Sequence, residues 1–254
     1  IGAGSIGFTR QLLADILTVP ELQNIEIAFT DINPDNLRMV TQLCQRDIDE
    51  NQLNIKIHAT LDRREAFKNA KYVINCVRVG MLEAFATDVE IPLKYGVDQC
   101  VGDTICIGGI MYAQRGIQAV LGFCKDIREV AAPGCILLNY SNPNAMITWA
   151  CNKYGKVRTY GLCHGVQCGH EQIAQALGRD KKDVDIICAG LNHQTWYISV
   201  KTDGIERTQE LYDLMTKAEF AKDENIRLDV MKNFGYYSTE SNGHLSEYLM
   251  WYRK

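Results

Sequence analysis

Over the first two hundred residues, short apolar runs alternate with longer stretches in which apolar positions recur every three or four residues. The short runs, at 25–30, 55–59, 72–77, 135–139, 157–161 and 184–189, have the length and apolar content of strands. Between them, Leu12, Leu13, Ile16 and Leu17 share one face of a helix over 11–19, and 110–130 is the longest helical stretch. Another helix has a well-marked start. Asn33 can accept from its first free N–H groups, Pro34 suits the first helical position, and Asp35 suits the positive end. Strands alternating with helices predict a parallel sheet with crossover helices. Past about Leu191 the alternation weakens, and His193, Trp196, Tyr236, Tyr237, His244 and Tyr248 gather in a second, substrate-facing region.

Composition narrows the class. With 254 residues, 46% hydrophobic and 23% charged, and only 5 prolines, the chain has material for a sizeable core and little of the character of a disordered or fibrous protein. A net charge of -4 gives no electrostatic reason for a nucleic-acid or anionic-membrane partner. No apolar run approaches the roughly 18 residues of a membrane span. The 10 cysteines lie mostly in apolar runs such as 72–77 and 134–138, which reads as reduced thiols and a cytoplasmic setting rather than a disulfide framework.

The opening Ile1-Gly2-Ala3-Gly4-Ser5-Ile6-Gly7-Phe8 fits the pattern GxGxxG and runs into the first helix. Gly2 allows a tight turn, Gly4 lets backbone approach a pyrophosphate, Gly7 lets the helix pack closely, and the helix start at Ser5 faces the phosphates. Asp31 follows the next strand, where an acidic residue takes ribose hydroxyls and favours NAD over NADP by repelling a 2′-phosphate. A plain glycine turn, with Asp31 only a helix-start charge, is the other reading. The fold predicted is α/β: a Rossmann-type doubly wound parallel sheet over 1–160 that binds NAD, then an α+β substrate and catalytic domain over 161–254. The chain starts without Met inside the glycine loop and stops three residues after Trp251, so a longer protein is expected, with the C-terminal part of the second domain outside this chain.

Cys163 and His164 follow the strand at 157–161, and His193 follows the one at 184–189, the edge where open α/β sheets bind ligands. Thiolate and imidazole from two strand ends could share one divalent ion. By themselves, a buried cysteine and a structural histidine account for these residues more simply. Cys168 and His170 could compete as ligands. Asn142, in Asn139-Tyr140-Ser141-Asn142-Pro143-Asn144, either bonds a substrate hydroxyl or helps start the next helix. Asp103 and Arg78 sit in loops, as site residues or as ordinary surface charges.

Taken together and in order, Gly2-Ala3-Gly4-Ser5, Asp31, Arg78-Val79-Gly80, Gly102-Asp103-Thr104, Asn142-Pro143, Gly161-Leu162-Cys163-His164 and Asn192-His193 resemble glycoside hydrolase family 4 across essentially the whole chain. Within it, Gly-Leu-Cys-His and the stretch 235–241, Gly-Tyr-Tyr-Ser-Thr-Glu-Ser, are similar to α-galactosidases of the melibiase type. The resemblance implies a relative of lactate and malate dehydrogenases that uses NAD and a divalent metal, usually manganese. NAD oxidises sugar carbon 3, the acidified hydrogen at carbon 2 is removed, the glycosidic oxygen leaves, water adds and the hydride returns. This NAD route is an exception to the usual two-carboxylate scheme.

The same resemblance makes Cys163 and His193 the metal ligands and Asn142 and Arg78 substrate contacts. It places Asp103 near the base and Tyr236, or else Tyr237, as the base itself, a weak one unless a cation lowers its pKa. Where the phospho-α-glucosidase branch has a proton-donating Asp after the metal cysteine, this chain has His164, which argues against a phosphorylated substrate and makes His164 a candidate acid. The implied partners are a small α-glycoside and further copies of the chain in a dimer or tetramer. An α-glucosidase or α-galacturonidase of the same family, and a lactate- or malate-type hydroxy-acid dehydrogenase, are the alternatives.

Overall fold

The computed structural model describes residues 1–253. In chain order its elements are α1 (Ile6–Leu17), β1 (Glu26–Thr30), α2 (Pro34–Glu50), β2 (Lys56–Thr60), α3 (Arg63–Phe67), β3 (Tyr72–Asn75), α4 (Met81–Leu93), α5 (Ile107–Val130), β4 (Ile136–Asn139), α6 (Asn144–Ala150), β5 (Thr159–Gly161), α7 (Gly165–Leu177), β6 (Val184–Leu191), β7 (Gln194–Thr202), β8 (Ile205–Glu206), α8 (Thr208–Met215), α9 (Asn225–Phe234), β9 (Tyr237–Ser238) and α10 (Asn242–Tyr248). They form two compact units. One comprises Ile1–Val79, Arg115–Ser141 and Met146–Gly161; the other comprises Gly80–Gln114, Asn142–Ala145 and the chain from Leu162 onward.

In the first unit β1 pairs parallel with β2, and β4 lies parallel between β3 and β5. The stretch at residues 1–3 joins the two sets. The N–H groups of Gly2 and Ala3 donate to the Thr30 carbonyl at 3.0 and 3.2 Å, and Cys76 N–H donates to the Ile1 carbonyl at 3.0 Å. The lateral order is therefore β2, β1, the opening residues, β3, β4, β5, the doubly wound arrangement of Rossmann-type folds. Asn33 Oδ1 accepts from the N–H groups of Asp35 and Asn36 and starts α2 as predicted. Leu37, Val40, Cys44 and Ile48 then bury one face of that helix against Leu13 and Phe29. Each such aliphatic side chain, fully buried, contributes about 1.5–3 kcal/mol. Leu137, Val73 and the Val120, Cys124 and Ile127 face of α5 make the second apolar layer. β3 stops at Asn75, short of the predicted residue 77, because Val77 N–H turns to the Asn75 side chain instead of a neighbouring strand.

The second unit is built on an antiparallel sheet, β6 against β7, with β8 and β9 also on β7. Its core packs Tyr197 and Val200 from β7 against Ile173, Leu211, Met231 and Tyr237. The sequence reading missed β7. Ile187 faces Ser199 while Cys188 faces Tyr197, so Ile198 is an extra residue in the ladder. The bulge turns both Tyr197 and Val200 inward and erases the period-two pattern that would have marked a strand. β5 ends at Gly161, and Gly80–Gln114 and Asn142–Ala145 group with the chain that follows it. The Gly80–Gln114 excursion holds α4 and the start of α5, two helices in succession with no strand between them. Among the described residues no helix is long and apolar enough to cross a membrane.

Candidate functional site

In the first unit the glycine loop lies where the sequence predicts it. Gly2 has φ +81°, and a Cβ on Gly4 would lie 2.8 Å from Asp31 Oδ2. The reason is a direct bond: Gly4 N–H donates to Asp31 Oδ2 at 2.8 Å, while Asn33 N–H donates to Oδ1 at 2.9 Å. Asp31 thus braces the loop. Gly7 differs from expectation, for a Cβ there would meet nothing within 4 Å, so close helix packing is not its reason. Ser5 and Gly7 are exposed, and α1 carries no acidic residue in its first turn. Its positive end is left open to an anion, and the loop fits a dinucleotide pyrophosphate. Arg78, half-buried in the same unit, follows the end of β3.

In the second unit three separated segments converge. Cys163 precedes α7, His193 sits in the two-residue turn between β6 and β7, and Glu240 follows β9; one donor atom from each lies within 4.8 Å of the others. Asp103, His193 and His244 form a second such group that shares His193. His193 has φ +62°, a left-handed conformation that costs a residue with a Cβ of order 1 kcal/mol and recurs at functional sites. Asn142 Nδ2 donates to Asp103 Oδ2 at 2.9 Å, Thr104 Oγ1 donates to Asp103 Oδ1 at 2.7 Å, and Thr104 Oγ1 lies 2.7 Å from His193 Nδ1. The threonine proton is spent on Asp103, so His193 Nδ1–H must donate to Oγ1. That tautomer leaves a lone pair on Nε2, the form a metal takes.

Burial pushes His193 down to about 4, with His244 adding to the fall and Asp103 opposing it, so the imidazole is neutral and ready to ligate. Desolvation at the sulfur raises the Cys163 thiol although the residue as a whole is exposed; Glu240 adds to the rise, and hydrogen bonds from Gly165 N–H and the Asn192 side chain oppose it. Asn192 Oδ1 is buried without a partner. An orphaned acceptor beside a thiol, an imidazole and a carboxylate marks a site whose residues fit a divalent cation.

The structure brings together Cys163, His193, Asp103 and Asn142 from the sequence-predicted set. Thr104 and Glu240, which the sequence reading did not single out, join them, as do His244 and Tyr248 from the polar and aromatic group of the second region, the Tyr248 hydroxyl lying 2.8 Å from His244 Nδ1. Glu240 was within reach, inside the stretch 235–241. His164 is exposed at the start of α7. Tyr236 is 41% exposed, whereas Tyr237 is fully buried beneath the Arg227 guanidinium with its hydroxyl donating to Gln172. His170 lies 2.7 Å from the Val184 carbonyl, to which its Nε2–H donates, and is thereby committed elsewhere.

The sequence pattern of the family 4 glycosyl hydrolases matches residues 1–179, and that of the family's C-terminal domain matches 188–254. The chain belongs to this family. It is 57% identical over 256 aligned residues to an α-galactosidase of Rhizobium meliloti (strain 1021), covering 100% of this chain and 52% of that protein. An α-galactosidase of Bacillus subtilis (strain 168) is 36% identical over 256 residues, covering 100% of this chain and 59% of the relative. The chain thus spans between half and three-fifths of the length of these relatives. The 6-phospho-β-glucosidase of Thermotoga maritima, solved with manganese, NAD+ and glucose-6-phosphate, superposes with a TM-score of 0.83 at 25% identity, over 98% of this chain and 58% of that one.

Proposed function

We infer that the protein is a glycosidase acting on α-galactosides, with NAD on the glycine loop and a divalent cation, manganese in the family expectation, on Cys163 and His193. The observation that carries this reading is the convergence of Cys163 and His193 in a chain 57% identical, along its whole length, to an α-galactosidase. When bound, the dinucleotide supplies a hydride acceptor and the cation a Lewis acid.

The chain's own residues then have separable tasks. Gly2, Gly4, Ser5 and Gly7 admit the pyrophosphate, and Asp31 holds the loop and faces the ribose. Thr104 fixes the tautomer of His193. Asp103 holds Asn142 by its Nδ2, which leaves Asn142 Oδ1 as the acceptor for a sugar hydroxyl. His164, one residue past Cys163, is assigned the proton for the leaving oxygen, because an imidazole can carry and donate a proton. Tyr236 is assigned the proton at carbon 2; unlike Tyr237, it has an exposed side chain. Arg78 is assigned a substrate contact. A thiolate ligand needs a reduced cysteine, which supports a cytoplasmic setting. Assembly as a homo-oligomer, a dimer or tetramer, rests on the family resemblance alone, and light scattering tests it.

The deciding assay follows nitrophenol release from p-nitrophenyl α-galactoside with and without NAD, Mn2+ and a thiol reductant. Activity that needs both cofactors is the expected result. Release untouched by removing both overturns the reading, and net accumulation of NADH from hydroxy acids would point to a dehydrogenase instead.

A further inference from the structure

Glu240 has no task in the scheme above, yet its surroundings call for one. The residue is 6% exposed. Its Oε1 receives only a 3.3 Å bond from Thr239 Oγ1, and Oε2 stands 3.8 Å from His244 Nε2, beyond hydrogen-bond reach. A carboxylate buried with so thin a shell is costly unless a cation lies close by. The positive charge of Arg227 is felt at Glu240, but its donors go to the Ser238 carbonyl, Gln172 and Glu224, so it makes no hydrogen bond to the carboxylate.

The chain is shaped to hold this carboxylate where it is. A Cβ on Gly165 would collide with Glu240 Oε1, so α7 opens on the one residue that leaves the carboxylate room beside Cys163. Arg227 grips the Ser238 carbonyl with Nε at 2.9 Å and Nη2 at 2.7 Å, which fixes the backbone two residues before Glu240. The result is a carboxylate oxygen within 4.8 Å of both Cys163 Sγ and a His193 ring nitrogen. The sequence pattern could not show this, because the three residues come from a helix start, a hairpin turn and a strand end.

We propose that Glu240 is a third protein ligand of the divalent cation held by Cys163 and His193. The proposal rests on the metal reading of those two residues. One thiolate and one carboxylate balance the charge of a divalent ion, the imidazole adds a neutral donor, and the mixture of soft and hard atoms suits a first-row divalent metal. The ion in turn would contact directly a buried carboxylate whose charged neighbours, His244 and Arg227, make no hydrogen bond to it.

The test uses the full chain stripped of metal and titrated with Mn2+, free ion being followed by electron paramagnetic resonance, with Co2+ as a spectroscopic probe. Glu240→Gln is expected to weaken Mn2+ binding on the order of tenfold to a hundredfold, Glu240→Asp less so. The sulfur-to-cobalt charge-transfer band is expected to persist in Glu240→Gln and to vanish in Cys163→Ser. Wild-type Mn2+ affinity in Glu240→Gln, with affinity lost in Cys163→Ser, overturns the role of Glu240 and leaves the Cys163 and His193 reading intact. Full affinity in Cys163→Ser overturns that underlying reading, and the three-ligand set with it. Circular dichroism of the metal-free variants checks folding. If Glu240→Gln does not fold, Glu240→Asp decides: several-fold weaker Mn2+ binding supports the proposal, and wild-type binding overturns it.

Discussion

Thr104 Oγ1 lies 2.7 Å from His193 Nδ1 and donates its proton to Asp103 Oδ1, so the ring of His193 is locked with its proton on Nδ1. A chain of three side chains thereby links Asn142, through Asp103 and Thr104, to a ring whose free nitrogen is available to a metal.

Thr104→Val removes that acceptor while keeping the shape. Nδ1–H is then buried without a partner, at a stability cost of about 1–3 kcal/mol, and the ring loses its fixed tautomer. If His193 ligates the cation as proposed, Mn2+ affinity should fall on the order of tenfold or more, the usual effect of losing a hydrogen-bond partner of a ligating histidine. Thr104→Ser restores it, as titrations of both variants will show. Unchanged affinity in the valine variant would mean that the tautomer is set elsewhere.

Acid should destabilise the metal-free protein through His193. The folded ring titrates at about 4 because burial, chiefly, disfavours its charge, against about 6.5 in an unfolded chain. Between those values the unfolded state binds a proton that the folded state refuses, so stability falls as pH drops from about 6.5 towards 4. The full extent is on the order of 3 kcal/mol. Glu240 works in the opposite sense, since burial raises its carboxyl and its folded form takes up a proton more readily. The informative quantity is therefore the difference between wild type and His193→Gln in urea unfolding across that pH range. The variant should show the shallower loss, and parallel curves would refute the assignment.

Gly4→Ala and Gly7→Ala separate the two roles of the glycine loop. A methyl on Gly4 meets the Asp31 carboxylate at 2.8 Å and breaks the Gly4–Asp31 bond, so both stability and NAD binding should suffer, the latter by more than about tenfold. A methyl on Gly7 meets open space within α1 and should raise helix stability by about 0.5–1 kcal/mol. If that space is where the pyrophosphate lies, Gly7→Ala still weakens NAD binding. Thermal melts and NAD fluorescence titrations together read both effects.

Arg227 is 3% exposed, stacks 4.1 Å from the Tyr237 ring centroid and binds the Ser238 carbonyl twice. Arg227→Ala leaves the buried Ser238 carbonyl without its two donors and takes the ion-pair partner from half-buried Glu224, and should cost about 3 kcal/mol in chemical unfolding. Arg227→Lys recovers little, because an ammonium cannot reproduce the planar fork. A loss below about 1 kcal/mol would show that the guanidinium is not the brace of β9.

What the sequence carried well was local. Asn33, Pro34 and Asp35 announce α2 because a helix cap is chosen by the residues beside it, and the glycine loop with Asp31 announces the first unit because each residue meets its demand within a short span. Strands β3 and β4 were legible for the same reason, as short runs of adjacent apolar residues, Tyr72-Val73-Ile74 and Ile136-Leu137-Leu138. The order of Asp103, Asn142, Cys163 and His193 identified the family, yet no spacing among them stated which would touch.

Tertiary structure decided the rest. It placed Gly80–Gln114 with the second unit, hid β7 behind the bulge at Ile198, and carried Glu240 from the end of β9 to the side of Cys163. It also made the Thr104 hydroxyl, a residue with no signature of its own, the group that orients His193. The sequence by itself settled the kinship and most elements of the first unit, because those depend on neighbours along the chain. The meeting of Cys163, His193 and Glu240, and the hydrogen bonds around the imidazole, depend on atoms far apart in sequence, and only the folded chain brings them together.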